Sequence, residues 1–183
     1  LWRKTLYNMI DTTLDGRGSR YFLHIFMANY RIRVAGLVCR GDQILLVQQA
    51  NRSGQKRWSL PGGGLEPMDA DIYAGAVREV FEETGLRVKA ENLRFITEYF
   101  GAESRLFAIS LIIQCVVEDG EDPDGIHLGH TQPDDNIHDV RWWSRASLLE
   151  ASEYTGYTLT REEFWKHVWC DDGMVRHLGR QHE

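Results

Sequence analysis

Hydrophobic and polar residues change period several times along the chain, and each change marks an element. "LWRKTLYNMIDTTL" spaces Trp2, Leu6, Met9 and Ile10 by three and four residues, the period of a short amphipathic helix. "DGRGS", Asp15 to Ser19, breaks it. "RYFLHIFMANY" is apolar almost throughout and fits a helix or a strand. β-branched residues then dominate "YRIRVAGLVCR" and "QILLVQQA", and Arg40, Gly41 and Asp42 between them predict a hairpin. The polar loop "NRSGQKR" leads to "WSLPGGGLEP", which reads as a short strand stopped by Pro61 and three glycines.

A helical period runs from about Asp71 to Thr84, with Gly85 placed as a C-terminal cap. Strands are expected at "LRFITEYF", "RLFAISLIIQCVV" and "HDVRWWS", the last running into a short helix from Ala146 to Glu150. A final helix covers "REEFWKHVW", where Thr160 and Glu163 have the spacing of a capping box. Between Glu118 and His138 the chain carries no apolar period, and a stretch of that length inside a compact domain is a functional loop or a disordered one. Strands, one long helix, more strands and then helices predict an α+β or sandwich-like domain.

Composition adds little to this outline and removes several function classes. A chain of 183 residues is long enough for one domain with a real core. Hydrophobic residues at 43% and charged residues at 26% are ordinary for a globular protein, which disfavours disorder and a membrane class. The net charge of -6 disfavours a surface that neutralises nucleic-acid phosphates. Cys39, Cys115 and Cys170 are odd in number and widely spaced, two of them in apolar runs, which reads as reduced thiols inside the cell. No apolar stretch approaches the ~20 residues of a membrane span, and no signal peptide opens the sequence, so a cytoplasmic location is expected.

Charge within the long helix does change the picture. At 3.6 residues per turn, Ile72, Tyr73, Ala76, Val77 and Val80 gather on one side, while Glu79, Glu82 and Glu83 gather on a neighbouring one. Gly75, one turn before Glu79, keeps the acidic side free of bulk. Like charges at this spacing cost a few tenths of a kcal/mol per pair, roughly, even when solvated. A solvated acidic face is the plain reading. The alternative is a hard divalent cation, which prefers clustered carboxylate oxygens and leaves room for water and substrate phosphate. "PGGG", Pro61 to Gly64, stands just before the helix, and a run without side chains lets backbone groups approach a metal or a phosphate.

"GGGLEPMDADIYAGAVREVFEETGL", Gly62 to Leu86, resembles the Nudix box. Arg78, Glu79, Val80, Glu82, Glu83, Gly85 and Leu86 fill its second half without exception. If Gly63 is its first glycine, the carboxylate at the box's spacing is Asp69 in place of glutamate, and the interval to Arg78 is one residue longer than the pattern. Glu66 is the alternative carboxylate. "RWSLPGGG" and "VRWWS" resemble the flanking strands, so the likeness covers roughly residues 30 to 150.

The resemblance implies an α+β, Nudix-type α/β/α sandwich with a mixed sheet. A domain over residues 30–183, including the C-terminal helix, is expected, with residues 1–29 an N-terminal extension packing on it. The activity implied is MutT-like: Mg²⁺- or Mn²⁺-dependent hydrolysis of a nucleoside diphosphate linked to another moiety. Glu79, Glu82 and Glu83 would hold the metal with the backbone of Gly63, Glu79 or an acidic residue of the 118–138 loop would be the base, and Arg78 would orient the glutamates. Gly63, Gly64, Trp58 and Arg57 would meet the substrate, although an aromatic residue flanking a glycine turn, as Trp58 does, more often packs in the core. The partner is then a small molecule, with nucleic acid and membrane disfavoured and a homodimer left open.

Other readings share the resemblance. A nucleotide-sensing domain without hydrolysis is opposed by the intact glutamates. An isoprenoid diphosphate isomerase would want a cysteine near the reacting carbons, and Cys39 and Cys115 leave that open. Messenger-RNA decapping is disfavoured by the acidic balance and the absence of a Lys/Arg cluster. His127, His130 and His138, with Asp134, Asp135 and Asp139, read first as a solvated polar loop and second as a further metal site. Trp142 and Trp143 alternate across a strand, so one faces inward, and Trp165 and Trp169 read as a helical packing stripe.

Overall fold

A computed structural model describes residues 29–50, 54–101, 106–126, 137–151 and 154–182. The elements are β1 (Asn29–Arg40), β2 (Gln43–Ala50), β3 (Lys56–Ser59), β4 (Gly62–Gly64), α1 (Ile72–Thr84), β5 (Val88–Gly101), β6 (Leu106–Val117), β7 (Ile137–Ser144), α2 (Arg145–Glu150), α3 (Tyr157–Thr160), α4 (Glu162–His167) and β8 (Arg176–His182). The predicted hairpin joins β1 to β2, and α1 ends at the expected Gly85 cap and opens on a cap at Asp71. Asp71 accepts from the amides of Tyr73 and Ala74, and Gly85, at φ 70°, donates its amide to the Phe81 carbonyl.

Among the described residues eight strands form one mixed sheet, with the main path β3-β2-β1-β6-β5-β8. β1 is its hub. One edge of β1 runs parallel to β6 from Asn29 to Val38, and the other edge takes β4 at Arg33 to Ala35 and then β2 at Cys39 and Arg40. β7 adds to β2, and β8 runs parallel to β5.

Period-2 alternation sorts the apolar residues onto two faces. Val34, Val38, Leu45, Val47 and Ile113 pack under α1 with Ala76 and Val80. Leu37, Ile44, Leu46, Phe95 and Ile112 face the other way, against Leu148 of α2, Leu159 of α3 and Phe164 and Trp165 of α4. The result is the expected sandwich, with α1 on one side of the sheet and the short helices on the other. Arg94 ties the second layer down. It is 3% exposed and donates from Nη1 to Gln114 and from Nη2 to the carbonyls of His167 and Cys170, the end of α4.

Four details depart from the sequence reading. The glycine run does not merely stop a strand but is one, β4, because a Cβ at Gly62 would lie 2.3 Å from the Val34 carbonyl oxygen. The capping box of Thr160 and Glu163 does not form. Thr160 instead closes α3 with a bond from its hydroxyl to the Tyr157 carbonyl, and α4 starts at Arg161 without a side-chain cap. Trp165 is 8% exposed but Trp169 is 44% exposed, so only the first belongs to the packing stripe. β8 has no apolar period to announce it, because Leu178 is its single buried residue.

Trp143 is the inward member of its pair, as alternation requires, and Trp142 supports a ring contact with Arg40. Cys39, Cys115 and Cys170 are free thiols. No helix of the described residues is long and apolar enough to cross a membrane. The expected N-terminal helix and residues 127–136 of the 118–138 loop lie outside the described residues.

Candidate active site

The site is where α1 meets the glycine strand. β4 pairs with β1 so that Val34 faces Gly63 and Ala35 faces Gly62. This register brings backbone, not side chains, against the acidic side of α1. The Gly62 amide donates to Glu83 Oε2 at 2.8 Å. A Cβ at Gly63 would stand 2.5 Å from both carboxylate oxygens of Glu79, so the close approach of Glu79 to this strand requires glycine.

The acidic face is not a solvated one. Glu79 and Glu83 are 8% and 3% exposed, and Glu82 is half-buried beside them. Tyr73, grouped with the core side by the helical period, is 37% exposed. The buried stripe of α1 is therefore rotated toward its glutamates, because β4 covers that flank.

Arg78 gathers the carboxylates. Its Nη1 donates to Glu79 Oε1 and to Glu82 Oε2, both at 2.9 Å. Its Nε and Nη2 take Asp69 in a two-pronged pair at 2.9 and 3.0 Å, and Nη2 also reaches the Gly64 carbonyl at 3.1 Å. Asp69 thus supplies the carboxylate that the sequence left in doubt. A side chain one methylene shorter than glutamate reaches Arg78 from an entry loop one residue longer. Gly75 makes room for it, since a Cβ there would lie 3.0 Å from Asp69 Oδ2. Glu66 is exposed and meets this cluster through its backbone: its amide donates to the Asp69 carboxylate at 2.8 Å and its carbonyl accepts from the Asp69 amide at 3.0 Å.

The electrostatics follow from this packing. Hydrogen bonds from Arg78 hold the Asp69 carboxyl below its ordinary range. Burial pushes the Glu79 carboxyl upward, opposed by Arg78 and reinforced by the charge of Glu82. Asp69 above all holds the Arg78 proton more tightly than in water. Burial and the neighbouring Arg31 lower Arg33, whose charge is offset by Glu83 and Glu79.

A cleft of about 580 Å³ opens over these groups, lined by Tyr30, Arg31, Ile32, Arg33, Gln49, Gly62 to Glu66, Arg78, Glu79, Glu82 and Glu83. Arg31 and Arg33 are the residues that the sequence reading missed. Their signal was the "RIR" alternation, which sets two cations on one face of a strand otherwise built of apolar residues. Arg33 donates to the Gly62 carbonyl at 2.6 Å. Trp58 is placed elsewhere: it is 1% exposed, with its ring 5.1 Å from that of Trp143, and so cannot stack on a ligand. Arg57, its neighbour in β3, is not among the cleft-lining residues either. His138 is exposed on β7 and Asp139 pairs with Arg141 at 2.6 Å, while His127, His130, Asp134 and Asp135 lie outside the described residues.

Among the described residues no three acidic, histidine or cysteine side chains already converge as a chelating group. The donor chemistry nevertheless fits a hard divalent cation. Glu79, Glu82 and Glu83 are hard oxygen donors on one flank of α1, Arg78 Nη1 draws Glu79 and Glu82 together, and the backbone of Gly63 stands against Glu79.

A family model of the NUDIX domain matches residues 29–163. The chain belongs to the Nudix family. Among its curated Nudix relatives, mouse diphosphoinositol polyphosphate phosphohydrolase 2 is 37% identical over 81 residues, 44% of each protein. A MutT-like protein of Streptomyces ambofaciens is 44% identical over 64 residues, 35% of this chain and 40% of that one. The matched stretches thus span less than half of these relatives. A NUDIX hydrolase from Nitrosomonas europaea aligns over 94% of this chain and 88% of its own, with a TM-score of 0.62 at 16% identity. An ADP-ribose pyrophosphatase from Streptococcus suis aligns over 80% and 98%, with a TM-score of 0.54 at 22% identity. These structures share the Nudix fold with the chain.

Proposed function

We propose that this Nudix domain is a divalent-dependent hydrolase that cleaves the diphosphate linkage of a nucleoside diphosphate joined to another moiety. The observation that carries the reading is the gathering of Glu79 and Glu82 by one Arg78 nitrogen, 2.9 Å from each, above a strand of bare glycine backbone. Glu79, Glu82 and Glu83, with the Gly63 backbone, would hold Mg²⁺ or Mn²⁺. Such an ion neutralises diphosphate oxygens and lowers the pKa of a bound water.

The chain's own residues would do the rest. Arg31 and Arg33 face the anion from β1, and Gly64 leaves the cleft floor open to it. Arg78 is a positioning residue, holding Glu79 and Glu82 through its pair with Asp69. Water oxygen attacks one phosphorus, the bridging P–O bond breaks, and the bridging oxygen leaves with the other phosphate. Glu79, or an acidic residue of the 118–138 loop, would take the proton. An isomerase is not supported, because neither Cys39 nor Cys115 lines the cleft and burial pushes their thiols up to about 11 and about 12.

The test is release of nucleoside monophosphate from a panel of nucleotide-sugars, ADP-ribose and nucleoside triphosphates, with and without Mg²⁺. Turnover of at least one class with Mg²⁺ is expected. Glu82→Gln should lower it by at least about 100-fold, the loss of several kcal/mol of charge stabilisation, with an unchanged melting temperature. A fully active Glu82→Gln protein would overturn the assignment.

A further inference from the structure

The outer edge of β4 is held by charged side chains. The Gly36 amide donates to the Pro61 carbonyl and the Leu65 amide to the Ile32 carbonyl, so the ladder bonds to β1 fall to residues 61, 63 and 65. The residues between them turn their amides and carbonyls away from β1. Gly62, opposite Ala35, is one of these. Both of its outward groups meet an ionised side chain: its amide donates to Glu83 Oε2 at 2.8 Å, and its carbonyl accepts from Arg33 Nη2 at 2.6 Å. Gly64, the next outward residue, accepts on its carbonyl from Arg78 at 3.1 Å.

Arg33 stands on β1 opposite Gly64 and reaches the Gly62 carbonyl along a strand that carries no side chains. Burial disfavours its charge, and the carboxylates of Glu83 and Glu79 offset part of that cost. A cation and an anion thus close on the two sides of one glycine, and a charge-assisted bond at each side fixes the peptide more firmly than neutral partners would. Satisfying an outward carbonyl is the plain reading of the Arg33 contact. Water at the edge of a cleft would do that equally well, without the burial of a guanidinium. What the guanidinium adds is a fixed backbone under Glu83, whose carboxylate is 3% exposed and takes the Gly62 amide as a donor.

From this we infer that Arg33 is a positioning residue: it clamps the Gly62 backbone, and through the Gly62 amide it holds the Glu83 carboxylate in the orientation a divalent cation needs. Although Arg33 lines the cleft, its Nη2 bond acts on the protein's own backbone. The inference rests on the hydrolase reading for the cation, while the clamp itself belongs to the metal-free protein.

The sign of one effect separates this role from plain electrostatics. A cation beside the carboxylates repels Mg²⁺, so loss of its charge alone would tighten Mg²⁺ binding, whereas loss of the clamp would weaken it. Calorimetry of Mg²⁺ on the full chain should find Arg33→Met binding at least about tenfold more weakly than wild type, the lower end for an outer partner of a metal ligand. In the metal-free protein, NMR should find the Gly62 amide exchanging with solvent at least about tenfold faster in Arg33→Met, while the amides of β6 keep their wild-type rates. Arg33→Lys keeps the charge and one donor for the carbonyl and should restore both. In turnover of the nucleotide panel the loss should fall on kcat and not on KM. Tighter Mg²⁺ binding in Arg33→Met, an unchanged Gly62 rate, no recovery with lysine, or a rise in KM alone would overturn the clamp. So would faster exchange throughout β6, which would make Arg33 a packing residue. An Arg33-dependent Gly62 rate in a protein that binds Mg²⁺ but hydrolyses no diphosphate would sink the hydrolase reading alone and leave this one standing.

Discussion

Glycine at position 63 decides more of the site than any charged residue. Its missing side chain is the space that Glu79 occupies, and an added methyl would collide with both carboxylate oxygens at 2.5 Å. Backbone strain is not the issue, since Gly63 is not among the positive-φ glycines. Gly63→Ala should therefore fold, displace Glu79, and lower kcat by about 100-fold, the cost typical of a displacement near 1 Å at reacting groups. Steady-state kinetics beside a melting curve check this, and wild-type kcat would refute it. The chain's departure at Asp69 is resolved at the same scale. Removing one methylene and adding one loop residue leave Arg78 with a two-pronged partner. That compensation was invisible in the sequence, because the reach of a loop depends on its path and not on its residue count.

At the level of elements, α1, α2 and α4 were legible in the sequence, while α3 and the way α4 begins were not. Asp71, Gly85 and a helical apolar period agree with one another, so local signals and packing point the same way. Near Thr160 local spacing pointed to a capping box, but Leu159 is buried in the core and α3 ends where that burial requires. The caps carry two expected outcomes. Asp71→Ala removes the acceptor for the amides of Tyr73 and Ala74 and should destabilise the protein by about 1 kcal/mol. Thr160→Ala removes no N-terminal cap of α4 and should cost less than about 0.5 kcal/mol. Urea unfolding of both variants decides, and equal losses would show that the Thr160 box forms after all.

For the whole molecule, the long parallel pairing of β1 with β6 is the feature that separates a buried interior from a titrating surface. It puts Cys115 at 1% exposure under α1 and Cys39 toward the opposite layer, where burial pushes their thiols up to about 12 and about 11, while Cys170 is exposed. Iodoacetamide near neutral pH should label Cys170 first and the other two only on unfolding, as read by mass spectrometry. The sign for stability comes from linkage. Above the ordinary thiol value of 9.0 the unfolded chain releases protons that the native state keeps, so stability falls as pH rises from there toward about 11 for Cys39 and about 12 for Cys115. Cys115→Val should flatten part of that alkaline decline in melting temperature; an unchanged slope would show that the thiol does not contribute.

By itself the sequence determined α1, its C-terminal cap, the first hairpin, the central strands and the cluster of Arg78, Glu79, Glu82 and Glu83, because each is set by spacing within a few turns or a few residues. Tertiary structure alone decided the rest. It made a strand of three glycines, moved Trp58 into the core, brought Arg31, Arg33 and Tyr30 to the cleft, and joined β8 to β5. The physical reason is common to all four: pairing across a sheet and burial against another layer depend on residues distant in the chain, and no local period records them.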